Sequence, residues 1–347
     1  MTATTRSEAG RDPESNDGLR GPDGVDWLRD ACQADELFRS RYDGWELLAR
    51  SASGVIVVRT HLRDADLPVV VKMRWGGGEQ ERLAVRREGQ ALMRVRHACV
   101  VHGHTVFDRG ELAWIEMECV HGIGLGEALR QRRASGVTGP FPGALEIGIC
   151  VAEGLAAVHA RGLVHRDVKP DNVLLSTGLG PRAKLADFGV ARALDATTVL
   201  DERLPGSPHY AAPEGIRGQP LSPASDVYGL GLTLYELLSG GLNPFGLRDD
   251  ASLARILECQ LNRFPAPLRV VAPGLPDHVV DVVHAALCKA PERRPSAAAV
   301  AAALRGPSIA EPAPGRRVLF QAVLVAAALG VVAGGMAGAT GAWLLLR

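Results

Sequence analysis

The stretch that most restricts the fold of this chain is residues 165–172, with the sequence HRDVKPDN. It follows an apolar periodic segment, residues 144–160, that predicts a helix. Two further short motifs come later in the chain, DFG at residues 187–189 and APE at residues 212–214. An ordered set of this kind rarely arises by chance in one chain, so the chain is expected to fold around these segments.

Two charged residues before this stretch belong to the same ordered set. Lys72 ends the apolar run Val69–Lys72 after a turn-like segment, residues 63–66, which is typical of a β-strand. Glu88 follows sixteen residues later within residues 79–96, which read as a helix. Only four lysines occur in the chain, so Lys72 and Lys169 stand out against an arginine-rich background.

Together these motifs resemble the Hanks-type (eukaryotic-like) serine/threonine protein kinases of bacteria, over residues 42–305. The resemblance implies an α+β bilobal protein-kinase fold. Its N-terminal lobe is an antiparallel β-sheet with one helix, and its larger C-terminal lobe is mostly α-helical. It also implies an ATP-dependent enzyme that transfers the γ-phosphate to serine or threonine hydroxyls of protein substrates.

The resemblance assigns roles to nine residues. Phosphoryl transfer spreads negative charge over phosphate oxygens, so positioning and cations dominate the catalysis. The catalytic residues would be Lys72, Glu88, Asp167, Lys169 and Asn172. Asn172 and Asp187 would bind Mg²⁺ or Mn²⁺ through oxygen. Glu214, Asp226 and Arg294 would be structural, with Asp226 bracing the catalytic loop and Arg294 paired with Glu214.

ATP would contact a further group of residues in the N-terminal lobe and at the hinge between the lobes. The full set is Ala49, Ser51, Gly54, Ile56, Val70, Lys72, Met117, Glu118, Val120, Leu174 and Asp187. Residues 49–56 depart from the family pattern G-x-G-x-x-G-x-V, because only the third glycine is kept. Weakened nucleotide binding is therefore expected. Glu116 is unexpected in the strand before the hinge.

The segment between the DFG and APE motifs carries two candidate phosphorylation sites, Thr197 and Thr198. Arg166 directly precedes Asp167, and a phosphate on this segment would pair with it by resemblance. Autophosphorylation of either threonine is therefore predicted. The sequence of residues 206–210, together with Lys169, favours serine/threonine over tyrosine substrates.

The ends of the chain differ in composition from its middle. Residues 1–24 are expected to be disordered and residues 25–41 to form a short helical extension. A Pro-rich linker, residues 306–317, leads to the uncharged residues 318–346, which predict one transmembrane helix. The flanking arginines place the kinase domain in the cytoplasm. Small residues at Gly330, Gly334 and Gly338 could form a homodimer face, or reflect the high Gly and Ala content of such helices.

Composition excludes one class of function, and two alternatives to a protein kinase were considered. With 39 Lys+Arg against 39 Asp+Glu, the chain lacks the charge excess of nucleic-acid binders. The six cysteines show no metal-ligand spacing and are expected to be reduced core thiols. The main alternative is a pseudokinase acting as a membrane scaffold, because of the eroded glycine loop. A small-molecule phosphotransferase is disfavoured by the APE segment and its arginine partner.

Overall fold

The computed structural model describes residues 35–51, 54–76, 78–187, 207–248 and 250–306. Strands predominate in the first part of the described chain, and helices predominate in the second. The strands are β1 (Tyr42–Arg50), β2 (Val55–Leu62), β3 (Leu67–Trp75), β4 (Gly103–Arg109), β5 (Leu112–Glu118), β6 (Gly122–Gly124), β7 (Val173–Ser176) and β8 (Ala183–Leu185). The helices are α1 (Glu36–Arg41), α2 (Glu79–Arg94), α3 (Leu125–Ala134), α4 (Ala144–His159), α5 (Pro213–Ile216), α6 (Pro223–Ser239), α7 (Leu253–Asn262), α8 (Leu268–Val271), α9 (Asp277–Ala286) and α10 (Ala297–Arg305).

The N-terminal lobe is a five-stranded antiparallel sheet in the order β1-β2-β3-β5-β4. Side chains alternate between its two faces, as the two-residue period of a strand requires. One face packs against α2, through residues such as Ile115. The opposite face buries a cluster that includes Val71 and Trp114. The predicted antiparallel lobe with its helix is confirmed.

The outer face of this sheet accounts for Glu116, which is only 2% exposed. Arg41, at the end of α1, donates to the two oxygens of Glu116 from Nε at 2.6 Å and Nη2 at 3.1 Å. The Tyr42 hydroxyl donates to the same carboxylate at 2.7 Å. Burial alone would raise the pKa of Glu116, but these donors lower it. The carboxylate therefore attaches α1 to the strand that leads into the hinge.

Replacing Glu116 by Gln should lower the free energy of unfolding by about 1–2 kcal/mol. The charge-assisted bonds are lost, although water screens the partly exposed Arg41. Urea unfolding measures the change. Glu46→Gln is the matched control, because Glu46 and its partner Arg59 are both exposed, and it should change stability by less than about 0.5 kcal/mol. Equal losses in the two variants would contradict this account.

The C-terminal lobe is built around α6, whose residues from Ser225 to Ser239 are all buried. It packs against α4 and α9, and α10 packs against both of those helices. A small sheet in the order β6-β7-β8 lies on this helical core. Close packing requires glycine at Gly229, where an added Cβ would lie 2.6 Å from the Val168 carbonyl oxygen. The predicted mostly helical lobe is confirmed.

Several predictions concern the ends of the chain. Residues 1–24, 307–317 and 318–346 lie outside the described residues, as does most of the predicted extension at residues 25–41. The part of that extension that is described holds the six-residue helix α1. Across the described ranges, every helix is too short or too polar to cross a bilayer.

Candidate active site

Lys72 lies on β3 and joins two carboxylates that are distant in the sequence. Its Nζ donates to Glu88 Oε1 on α2 at 2.7 Å, and it also contacts Asp187, just beyond β8. Burial alone would lower the pKa of Lys72, but the two carboxylates raise it, so the ammonium stays charged. One lysine therefore links the N-terminal sheet, its helix and the segment that follows β8.

Glu88 and Asp187 respond differently to this lysine because they differ in exposure. Burial raises the pKa of Glu88 to about 7, with Lys72 opposing the shift. The side chain of Asp187 is half exposed, and Lys72 keeps its pKa below the usual range although burial opposes this. Asp187 also has a left-handed backbone, with φ of 57°. It therefore offers a partly exposed, ionised carboxylate beside Lys72.

The catalytic loop gathers its polar side chains around Asp167. Lys169 Nζ donates to Asp167 Oδ2 at 2.6 Å and to Ser207 Oγ at 3.1 Å. Asn172 Nδ2 donates to the Asp167 carbonyl at 2.8 Å and to its Oδ2 at 2.9 Å. These donors orient the Asp167 carboxylate, and Lys169 connects it to the segment before α5.

Asp226, at the start of α6, accepts hydrogen bonds from the backbone of this loop. Its Oδ2 accepts the backbone N–H of His165 and its Oδ1 that of Arg166, each at 2.7 Å. Arg166 has φ of 71°, a costly backbone conformation for a residue with a side chain. His159 Nε2 lies 2.8 Å from the same carboxylate, a contact that no sequence motif indicates. The buried aspartate thus stabilises the backbone that precedes Asp167.

Two oxygen-bearing side chains near Asp167 and Lys72 fit a divalent cation that prefers oxygen ligands. Asn172 uses its amide nitrogen for both of its hydrogen bonds, which leaves its amide oxygen directed away from Asp167. Asp187 supplies a carboxylate oxygen, and hard cations such as Mg²⁺ take ligands of these two types. Asn172 and Asp187 are therefore the residues of this chain that would hold the ion. Among the described residues, no group of three or more His, Cys, Asp or Glu side chains forms a metal cluster.

The predicted ATP contacts near the hinge lie on β3, around the end of β5 and on β7. Val70 on β3 pairs with Met117, and both share the sheet face of Lys72. The backbone N–H of Glu118 donates to His102, and its side chain forms an ion pair with Lys184 of β8. Val120 follows β5 and is partly exposed. Leu174 lies between two buried neighbours of β7, so it points away from the helical core.

The loop between β1 and β2 closes through Ser51 and Gly54. Ser51 N–H donates to the Val55 carbonyl at 2.8 Å, and Ser51 Oγ accepts from Val55 N–H at 3.0 Å. Gly54 has φ of 81°, a conformation that favours glycine. Ala49 pairs with Val57 at the end of β1. The serine hydroxyl therefore stabilises the turn, a role that the sequence analysis did not assign to it.

The prediction that Ile56 contacts ATP is wrong in this structure. In the β2–β3 register Val57 is opposite Lys72, whereas Ile56 is opposite Met73. Ile56 is 1% exposed and packs in the cluster of Val71 and Trp114 on the other face of the sheet. A shift of one residue in register exchanges the faces of a strand. Val57 therefore occupies the face that was predicted for Ile56.

Two matched substitutions test this assignment. Val57→Ala should weaken nucleotide binding several-fold with little change in stability, because it removes apolar contact beside Lys72. Ile56→Val should leave nucleotide affinity unchanged and cost about 1 kcal/mol of unfolding free energy, since it removes one buried methylene. Calorimetric titration with ATP and urea unfolding measure the two effects. The reverse pattern would restore Ile56 to the nucleotide side.

Glu214 and Arg294 form a buried ion pair below the catalytic loop. Arg294 Nη1 and Nη2 donate to the two oxygens of Glu214 at 2.7 and 2.8 Å. The remaining guanidinium hydrogens bind the carbonyls of Cys288, Ala224 and Lys289. Ser225 Oγ donates to Glu214 at 2.7 Å. The predicted pair is thus present with every guanidinium N–H bonded, which a buried charge requires. Thr197 and Thr198 lie outside the described residues.

Comparison with known proteins agrees with this geometry. Residues 52–304 match the protein kinase domain family. Serine/threonine-protein kinase PkaB of Streptomyces coelicolor is 36% identical over 77% of this chain and 63% of its own length. PkaA of the same organism is 38% identical over 63% of this chain and 38% of its own length. Serine/threonine-protein kinase PknL of Mycobacterium tuberculosis is 34% identical over 74% of this chain and 63% of its own length.

The match covers most of the described residues but not the whole of these relatives. This chain spans about three fifths of PkaB and PknL and a smaller part of PkaA. The matched range contains all of the charged residues that meet around Lys72 and Asp167. The chain therefore belongs to the protein kinase family, among its Hanks-type bacterial serine/threonine kinases.

Proposed function

We propose that this chain is a protein serine/threonine kinase that transfers the γ-phosphate of ATP to hydroxyls of protein substrates. The observation that carries the proposal is the double contact of Lys72 with Glu88 and Asp187. This contact brings the phosphate-binding charge of one lobe to the candidate metal ligand of the other. Catalysis by positioning and charge needs such an arrangement.

The chemistry of the chain's own residues follows from these contacts. Asp167, oriented by Lys169 and Asn172, would accept the proton of the substrate hydroxyl. Lys169 would stabilise negative charge on the transferred group, and Lys72 would bind the remaining phosphates. Mg²⁺ or Mn²⁺ held by Asn172 and Asp187 would neutralise phosphate charge. Ser207, bonded to Lys169, supports serine or threonine as the acceptor.

Phosphate transfer from labelled ATP to the chain itself or to a generic protein substrate tests the proposal. Wild-type protein with Mg²⁺ should incorporate label, whereas Lys72→Met should not. Arg74→Met is a matched control, because Arg74 lies on the same strand and pairs with Glu81 away from the site. Nucleotide binding without any transfer would instead favour the pseudokinase scaffold, which the eroded loop at residues 49–56 motivates.

Autophosphorylation of Thr197 or Thr198 is part of the proposal. Arg166 supports it, because its guanidinium is partly buried and burial lowers its pKa, although Asp226 opposes the shift. A phosphate near this cation would compensate its desolvation. Mapping of phosphosites in active protein should find one of the two threonines modified. Active protein with both threonines bare would contradict the idea.

We further propose that residues 318–346 tether the kinase domain to the cell membrane, with the domain in the cytoplasm and a role in signalling. The support is the uncharged sequence of that segment and the arginines before it. A homodimer through Gly330, Gly334 and Gly338 belongs to the same proposal. Replacing Gly334 and Gly338 by Ile should abolish self-association in a membrane assay, and unchanged association would remove the dimer.

A further inference from the structure

A hydrogen-bond network inside the C-terminal lobe connects the end of α9 to the segment before α5. Lys289 follows α9 and donates from Nζ to the Tyr228 hydroxyl of α6 at 2.8 Å. That hydroxyl donates in turn to Gln260 Oε1 of α7 at 2.6 Å. Gln260 Nε2 then donates to the backbone carbonyl of His209. The network therefore ends at one carbonyl of a short 3-10 helix, Pro208–Tyr210.

The ammonium group of Lys289 sets the direction of each bond in this network. Besides the Tyr228 hydroxyl, it donates to the carbonyls of Cys259 and Gln260 at 3.3 and 2.7 Å. An ammonium cannot accept a hydrogen bond, so the Tyr228 oxygen accepts and its proton is directed to Gln260 Oε1. The amide nitrogen of Gln260 is then the atom that faces His209. The charge on Lys289 therefore determines how the Gln260 amide is oriented.

Burial strengthens these bonds and also explains what holds the cation in place. Tyr228 and Gln260 are both 0% exposed, so water does not compete for their hydrogen bonds. Lys289 Nζ lies 4.7 Å from the centre of the Phe245 ring and 5.2 Å from that of Tyr228. Burial, followed by the charge of Arg294, lowers the pKa of Lys289 to about 8, so the amine is mostly charged at neutral pH.

The 3-10 helix at the end of this network is attached to the catalytic loop. Ser207, directly before it, accepts from Lys169 Nζ of that loop at 3.1 Å. Tyr210, its last residue, donates from its hydroxyl to Glu236 Oε1 of α6 at 2.9 Å. Gln260 adds a third attachment, and this one holds a backbone carbonyl. The three bonds together fix how the segment lies against the catalytic loop.

We propose that Lys289, Tyr228 and Gln260 are positioning residues for the protein substrate. They act through the backbone of residues 207–210 and touch neither the substrate nor the nucleotide. This inference rests on the proposed kinase function, in which Lys169, the partner of Ser207, lies beside the transferred phosphate. Loss of one bond in the network therefore weakens binding of the protein substrate and leaves nucleotide binding unchanged.

Tyr228→Phe in the full chain tests the proposal, because it removes the oxygen that joins Lys289 to Gln260 and keeps the ring. KM for a generic protein substrate should rise about five- to tenfold, as expected for one lost hydrogen bond, with kcat and ATP affinity within about twofold. Tyr235→Phe is the matched control. Tyr235 is also buried on α6, but its hydroxyl donates to the Ala266 carbonyl at 3.1 Å. That variant should leave KM, kcat and ATP affinity unchanged.

Gln260→Met removes the last bond directly and decides the matter where Tyr228→Phe fails to fold. It should raise KM for the protein substrate at least as much, because the His209 carbonyl loses its donor.

Deuterium exchange adds a measurement that needs no catalysis. A peptide spanning residues 207–212 should exchange faster in both variants than in the wild-type chain or Tyr235→Phe. Unchanged exchange, an unchanged KM for the protein substrate, a loss of ATP affinity, or equal effects of Tyr228→Phe and Tyr235→Phe would overturn the proposal. An inactive wild-type chain would instead refute the kinase function, and the exchange data would still show whether the network fixes this segment.

Discussion

Asp167→Asn should reduce kcat for phosphate transfer by about a thousandfold, because an amide cannot accept the proton of the substrate hydroxyl. The substitution keeps the size of the side chain and one oxygen for Lys169 and Asn172. Folding and nucleotide affinity should therefore change little. Initial rates with labelled ATP measure the first effect, and calorimetric titration with ATP measures the second.

Asp171→Asn is the matched control for this variant. Asp171 lies on the same loop, but its carboxylate faces Arg130 at 2.8 Å and is about half exposed. The same chemical change there should leave kcat within a few-fold of wild type, because exposed ion pairs contribute little. An Asp167→Asn enzyme that keeps a tenth or more of the wild-type rate would contradict the proposed role of Asp167.

Removing the guanidinium of Arg294 should cost about 3–5 kcal/mol of unfolding free energy, since it leaves Glu214 as a buried charge without its partner. Arg294→Met keeps most of the volume and isolates this electrostatic loss. The total stability of a domain is only about 5–15 kcal/mol, so the variant should be close to unfolding at 37 °C. Urea or thermal unfolding measures it.

Arg269→Met is the control for this loss. Arg269 also bonds two acidic residues, but its side chain is half exposed. Its loss should cost less than about 1 kcal/mol. A double variant, Arg294→Met with Glu214→Leu, should recover part of the stability, because both buried charges are then removed. Equal effects at positions 294 and 269 would contradict the argument from burial.

The same pair predicts a pH dependence of stability. Burial opposes ionisation of Glu214, but Arg294 and Ser225 lower its pKa below the ordinary value of 4.5. The unfolded chain therefore binds the Glu214 proton more readily than the folded chain. The stabilisation is complete above about pH 4.5 and is lost as the pH falls through the folded pKa. Arg294→Met should remove this part of the acid sensitivity.

Most of the candidate active-site residues were identified from the spacing of the sequence motifs. The positions of Lys72, Glu88, Asp167, Asn172 and Asp187 were all proposed from the sequence, and the structure brings these side chains into two connected groups. The chemistry of phosphoryl transfer demands one residue type at each of these places, which is why motif spacing could propose the positions; the catalytic roles stay predictions. The two-lobed fold followed from the same resemblance rather than from residue periodicity.

The sequence analysis failed where strand register, or contacts between residues far apart in the chain, determine the surroundings of a side chain. Ile56 was assigned to ATP by counting from Gly54, but the pairing of β2 with β3 sets which face each residue occupies. Glu116 had no explanation because its partners Arg41 and Tyr42 lie more than seventy residues earlier. His159 contacts Asp226, although the two residues lie 67 positions apart. No local pattern encodes these contacts.

The bonds from the catalytic loop to Asp226 have a consequence for hydrogen exchange. The amides of His165 and Arg166 belong to a loop, yet each donates to a carboxylate that is 2% exposed. Their protons can reach deuterated solvent only when α6 separates from the loop. They should therefore exchange as slowly as amides in the middle of that helix, far more slowly than other loop amides.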